Sequence, residues 1–133
     1  MPYDVDAIRP SGIKRKIIIS PSFSTHQTDG TDAVIAYFPH GATLRNMYCL
    51  ALTAGSANAA SSSLHIGTEA SGKTIVDTHT LTNNQAAGAA VAMTIVAGAN
   101  VLAADTTLFV QLNTDDADGG TVAIVIEYED RNN

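Results

Sequence analysis

The chain has 133 residues, the size of one domain, and is long enough to bury a core without metals or disulfides. Seven basic against 13 acidic residues give a net charge of −6, which argues against a general nucleic-acid-binding protein, since such proteins need a basic face. The single cysteine, Cys49, cannot form an intrachain disulfide, no apolar run predicts a membrane span, and a hydrophobic content of 45% excludes a disordered chain.

The first half of the chain predicts an extended arm followed by strands. Residues 1–13 have no periodicity and contain two prolines, so they predict an extended N-terminal arm. Alternation of apolar and polar residues then predicts strands over residues 14–20, 33–38, 42–52 and 62–67. In the longest of these, two faces are predicted: Leu44, Asn46, Tyr48, Leu50 and Leu52 on one, and Arg45, Met47, Cys49 and Ala51 on the other. In the strand over 62–67, Leu64 and Ile66 are predicted to face inward, and Ser63 and His65 outward.

The second half predicts four further strands, over residues 73–81, 90–97, 106–113 and 121–129. One face is predicted for Leu108, Val110 and Leu112 in the third of these, and one for Val122, Ile124, Ile126 and Tyr128 in the last. A helix over 84–92 is the less favoured interpretation of an alanine-rich run, because Gly88 interrupts it. Eight short strands joined by short linkers predict an all-β fold, and the jelly roll is the common eight-stranded antiparallel sandwich. The predicted organisation is an arm over 1–13 and a jelly-roll β-sandwich domain over 14–133.

Charge is unevenly distributed along the chain. Residues 1–16 contain four basic residues, Arg9, Lys14, Arg15 and Lys16, against two acidic ones. Residues 17–133 contain three basic residues against 11 acidic ones. A basic arm on an acidic body is suited to docking on a neighbouring copy or an acidic scaffold, and a solvated tail is the equally open alternative.

The four histidines, His26, His40, His65 and His79, lack the spacing of a zinc site, so the sequence predicts no metal. Two acidic loops, over 26–32 and 114–119, are rich in Asp and Gly but do not match the calcium-binding EF-hand. Ordinary turns use the same residues and are the favoured interpretation, with calcium left open.

Enzymatic motifs are also weak. Residues 67–74 match the phosphate-binding pattern G-x-x-x-x-G-K-T, but that site needs a helix after the threonine, and a strand is predicted there. The chain has no G-x-S-x-G nucleophile motif, and Cys49 lies within a predicted strand, as a small buried residue would. We therefore expect no enzyme, no cofactor and no small-molecule substrate.

The runs VAMTIVAGANVLAADTTLFVQL over 91–112 and DGGTVAIVIEY over 118–128 carry a resemblance to a known family. Together with the acidic, Ala/Thr/Gly-rich composition and the arm, they resemble the jelly-roll cement, or decoration, proteins of tailed bacteriophages. The resemblance lies in the pattern of strands and small loops, so no functional residue is transferred from it.

The resemblance implies a structural protein of the virion, assembled in the host cytoplasm and located on the outer capsid surface. It implies a homotrimer that bridges major capsid protein subunits, without nucleic acid, membrane or cofactor. Arg9, Lys14, Arg15 and Lys16 are then the candidate contacts to the capsid or to a neighbouring copy. The first alternative is a receptor- or glycan-binding module, with calcium at Asp115, Asp116 and Asp118, and a cupin-like enzyme is the second.

Overall fold

A computed structural model describes residues 15–25, 32–55, 59, 62–113 and 120–131. Within these ranges the protein is all-β, with two antiparallel sheets and no helix. The described residues form ten strands: β1 (Arg15–Ile19), β2 (Phe23–Ser24), β3 (Asp32–Phe38), β4 (Ala42–Ala51), β5 (Ser63–Gly67), β6 (Val76–Thr80), β7 (Ala90–Met93), β8 (Val101–Leu102), β9 (Thr106–Asn113) and β10 (Thr121–Asp130). No described part of the chain forms a helix long and apolar enough to cross a membrane.

The six-stranded sheet has the order β1-β10-β4-β7, with β2 beside β10 and β8 beside β4. The four-stranded sheet has the order β3-β9-β5-β6. When the two-residue strands β2 and β8 are set aside, the remaining eight form nested antiparallel pairs. The first pairs with the last, the second with the seventh, the third with the sixth and the fourth with the fifth.

The two sheets pack face to face around one hydrophobic core. Leu44, Ile124 and Ile126 of the six-stranded sheet belong to the same buried cluster as Leu64 and Leu108 of the four-stranded sheet. Alternating side chains explain this burial, since every second residue of a strand points to the same face. The core therefore fills the space between the sheets, as in a β-sandwich.

All eight predicted strands are formed, and two further ones, β2 and β8, were missed because two residues carry no alternation. The predicted strand over 106–113 coincides with β9, and its predicted inward residues, Leu108, Val110 and Leu112, are buried. Residues 84–92 form turns and the start of β7, so the helical alternative is wrong.

The predicted faces of β4 are wrong at one point. The pairing of β4 with β10 shifts between Glu127, which faces Asn46, and Tyr128, which faces Leu44, so Arg45 is an extra residue in a β-bulge. Arg45 and Asn46 are consequently both exposed, and the alternation changes phase there. Leu44 therefore lies in the core together with Met47, and Tyr48 points away from the core.

Candidate interaction surfaces

Two of the predicted arm residues lie in β1 and make contacts within the chain. Arg15 Nη1 lies 3.2 Å from Glu127 Oε1, and Arg15 Nη2 lies 3.7 Å from Glu129 Oε1. Lys16 Nζ lies 3.1 Å from Asp130 Oδ2. The antiparallel register of β1 and β10 places Arg15 directly opposite Glu129, while the pairs with Glu127 and Asp130 are diagonal.

Arg45 completes this group of charges through the bulge in β4. Its Nε and Nη2 donate to the two carboxylate oxygens of Glu129 at 2.9 and 2.8 Å, a bidentate pair. The hydrogen bond from Arg45 is the largest cause that lowers the pKa of Glu129, and the same bond raises the pKa of Arg45. We call the six residues the charged corner: Arg15, Lys16, Arg45, Glu127, Glu129 and Asp130. Three positive and three negative charges make it neutral as a whole.

Arg9 and Lys14, the other two predicted contact residues, lie outside the described residues. Arg15 and Lys16 lie in β1, within the strand predicted over 14–20, which is confirmed from Arg15 to Ile19. A contact of these four basic residues with a capsid or a neighbouring copy stays a prediction.

Beside the charged corner, the outward face of the six-stranded sheet is apolar. The strand register places Ile19, Val125, Tyr48 and Ala92 in one row across β1, β10, β4 and β7. The next row contains Ala123, Leu50 and Ala90. With Ile17 of β1, these residues are called the apolar face.

Exposure is uneven across this face. Ile17 is 63% exposed and Ile19 is 62% exposed, while Ile18 between them packs against the core. Val125 and Tyr48 in the middle are half-buried, Ala123 beside them is buried, and Ala92 at the other edge is exposed. Large exposed side chains at one edge of a soluble domain are characteristic of surfaces that contact another protein.

The outward face of the four-stranded sheet combines a polar row with an apolar one that includes the exposed Val34, and it is partly covered by the chain itself. The register aligns Asp32, Gln111 and His65 across β3, β9 and β5. His65 was predicted to be exposed but is 2% exposed, because the turn between β5 and β6 lies over it. Its Nδ1 is 2.8 Å from Gly72 O, and its Nε2 is 2.9 Å from Gln111 Oε1.

The same network fixes the turn from the other side. Gln111 Nε2 donates to Ser71 Oγ at 2.7 Å, and Ser71 N donates to Asp32 Oδ1 at 2.9 Å. The Ser71 hydroxyl thus contacts Asp32 and Gln111 rather than the His65 ring. A nucleophile–base pair would need a direct hydrogen bond between the serine hydroxyl and the imidazole ring. The hydrogen bonds present here instead hold the turn in place.

Residues 67–74, the phosphate-loop match, form this turn. A Cβ on Gly67 would lie 2.5 Å from the Gly72 carbonyl carbon, so close backbone approach accounts for the first glycine. Strand β6 follows the turn, as predicted, and leaves the pattern without the helix that a phosphate site requires.

The remaining reactive groups are dispersed. His40 is exposed in the turn after β3, and burial lowers the pKa of the half-buried His79 in β6. Burial raises the pKa of the Cys49 thiol to about 11, which makes it a poor nucleophile at neutral pH. In the described ranges, no three His, Cys, Asp or Glu side chains converge as a metal site would need.

The calcium and glycan alternatives depend largely on other parts of the chain. His26 and the acidic loop residues Asp115, Asp116 and Asp118 lie outside the described residues. A shallow cavity of about 350 Å³ near the start of β6 has a lining without an aromatic or charged residue: Thr68, Thr74, Ile75, Ala99, Val101, Leu102, Ala103 and Thr106. The exposed Tyr37 lies elsewhere and donates to Asp105 Oδ1 at 2.7 Å.

Comparison with known proteins gives one relevant likeness. No protein-family model and no curated protein matches this sequence. The structure is similar to a chain of the "Cyanophage Pam1 capsid asymmetric unit", with a TM-score of 0.62 and 15% sequence identity. The match covers 88% of this chain and 85% of that chain, so the two chains are of similar length. This chain shares its fold with a chain of a phage capsid.

Proposed function

We propose that this protein is a structural component of a bacteriophage virion that decorates and stabilises the outer capsid surface. It bridges neighbouring major capsid protein subunits, as a trimer, and has no enzymatic activity. The observation that carries this proposal is the likeness over 88% of the chain to a chain from a cyanophage capsid.

The strand order supports a more specific description of the fold. Nested pairing of the first strand with the last, and so on inward, is what results when one long antiparallel hairpin rolls up into two sheets. The eight-stranded jelly roll is built in this way and is common in viral capsids. We infer that the protein is a jelly roll with β2 and β8 as additional short strands.

The contacts of the reactive groups support a structural role. Cys49 is buried with a raised thiol pKa, and His65 is held between Gly72 and Gln111 beneath the turn. The described surface instead combines an apolar sheet face with a neutral group of ion pairs, which suits contact with other proteins.

Binding to capsids tests the proposal directly. Capsids assembled from the major capsid protein of the same genome are mixed with the purified chain and separated on a sucrose gradient. We expect the chain to sediment with the capsids, to saturate at a fixed number of copies, and to raise the temperature at which the capsids rupture. An acidic protein of similar size serves as the control. A chain that stays at the top of the gradient and leaves the rupture temperature unchanged would overturn the proposal.

A further inference from the structure

We propose that copies of this chain pack on one another through the apolar face, with the isoleucine edge of one copy against the alanine edge of the next. The inference deepens the proposed function and rests on it for the number of copies, which is three. The occupant of the face is therefore a second copy of this chain.

The two edges of the face carry side chains of different size. Ile17 and Ile19 form a ridge on β1, and Ala90 and Ala92 form a shelf on β7 at the opposite edge of the same sheet. Large side chains packed against small ones fill space well. Two isoleucine edges would clash, and two alanine edges would leave a void between them. The face is therefore complementary to itself when unlike edges meet.

Electrostatics favours this face for self-association. Two chains of net charge −6 repel each other, so copies approach best where local charge is balanced. The charged corner beside the apolar face is neutral. The four-stranded sheet and its turns instead carry four exposed acidic residues, Asp32, Glu69, Asp77 and Asp105, against Lys73.

The edge position of β1 leads to the same conclusion. Within the described chain, β1 pairs with β10 on one side and ends the sheet on the other. Exposed isoleucines on an edge strand favour uncontrolled association unless another surface covers them. Contacts between unlike edges are heterologous, and they close into a ring of three when each step rotates by one third of a turn.

A disulfide pair tests the arrangement in the full chain. Ile19→Cys and Ala92→Cys are combined, and the protein is oxidised and run on a non-reducing gel. The two positions are three strand spacings apart, about 14 Å, which is beyond the reach of a disulfide within one copy. Cys49 is buried and takes no part. We expect a covalent trimer that reductant returns to monomer. Products that stop at dimer, or no cross-linked product, would overturn the proposal.

The outward face of the four-stranded sheet supplies a matched control. Val34→Cys and Thr80→Cys lie on the edge strands β3 and β6, likewise separated by two intervening strands. We expect this variant to remain monomeric on the gel. Equal cross-linking of both variants would mean that random collision produces the trimer, and the proposal would fall.

Light scattering behind a sizing column gives an independent readout. We expect three times 13.8 kDa for the unmodified chain and 13.8 kDa for Ile19→Glu, a folded variant because Ile19 is exposed. An unmodified chain that is monomeric, or an Ile19→Glu chain that stays trimeric, would overturn the proposal. Trimers that do not bind capsids would instead overturn the proposed function. Capsid binding by a chain that never cross-links would refute the interface alone.

Discussion

Glu129 is the residue on which the charged corner depends. It accepts both hydrogen bonds of Arg45 and lies near Arg15, and its side chain is 13% exposed. The pairing favours the ionised carboxylate in the folded state, which is why the pKa of Glu129 falls below its ordinary value of 4.5. The unfolded chain offers no such pairing.

This difference predicts a pH dependence of stability. As the pH falls below about 4.5, the unfolded state binds the Glu129 proton before the folded state does, so the free energy of unfolding decreases. We expect the free energy of unfolding of Arg45→Met to fall less on acidification from neutral pH to the pKa of Glu129 in the folded wild-type chain. The reason is that, without Arg45, the pKa of Glu129 in the folded state lies closer to its ordinary value. Urea denaturation at several pH values measures the slope, with the exposed Lys73→Met as control. An Arg45→Met chain with the wild-type acid slope would contradict the prediction.

The sequence predicted individual inward residues well where the alternation was regular. Val122, Ile124, Ile126 and Tyr128 were predicted to share one face of the last strand. The first three are buried, and the half-buried Tyr128 packs against the core. His65 failed because alternation indicates which face a side chain is on and not whether another segment covers that face. Its partner Gln111 is 46 positions away, so no local pattern reveals the contact.

At the level of single elements, the turn into β10 depends on a glycine. Gly120 has φ +84°, and a Cβ there would lie 2.5 Å from Thr53 O and 2.7 Å from Ala54 O. The Gly120 carbonyl also accepts hydrogen bonds from the buried Thr25, through N at 2.9 Å and Oγ1 at 2.7 Å. A side chain at this position would therefore disturb the start of β10 and the contacts around it.

We expect Gly120→Ala to lower the melting temperature well beyond a matched glycine variant. Gly88→Ala is the control, because Gly88 has φ +88° and no atom within 4 Å of a Cβ. A side chain at a positive φ costs about 1–3 kcal/mol of stability through backbone strain. Gly88→Ala measures this strain alone, and Gly120→Ala adds the clash of the new Cβ with the two carbonyl oxygens. Calorimetry on both variants provides the comparison. Equal decreases would show that the two carbonyls move aside at little cost.

The elements that were mispredicted share a physical cause. The bulge at Arg45 arises from the pairing of β4 with β10, and the adjacent polar residues Arg45 and Asn46 between Leu44 and Met47 are its one local signal in the sequence. Likewise β2 and β8 are two residues long and exist because β10 and β4 provide partners. A two-residue strand or a register shift that depends on a partner strand cannot be derived from the residues of one segment alone.

For the whole molecule, the class of fold was predictable and the strand pairing was not. Short alternating runs and short linkers indicate an antiparallel sandwich, but they do not specify that Arg15 lies opposite Glu129. That pairing joins residues 114 positions apart and results from the packing of both sheets. Arg15 and Lys16 are held in the sheet by ion pairs with β10, so Arg9 is the basic residue of the predicted arm over 1–13.

Deleting residues 1–13 tests the arm as a docking device. We expect the melting temperature to stay within about 2 °C of the full chain, because β1 begins at Arg15 and the described ion pairs are retained. Capsid binding should weaken several-fold, because the contacts of the arm with the capsid are lost. Arg9→Ser keeps the arm at full length and removes its one basic side chain. If this variant binds as weakly as the deletion, the contribution of the arm depends on that charge, whereas intermediate binding assigns part of it to the arm's apolar residues. A deletion variant that binds capsids as tightly as the full chain would refute the docking role and favour the solvated tail.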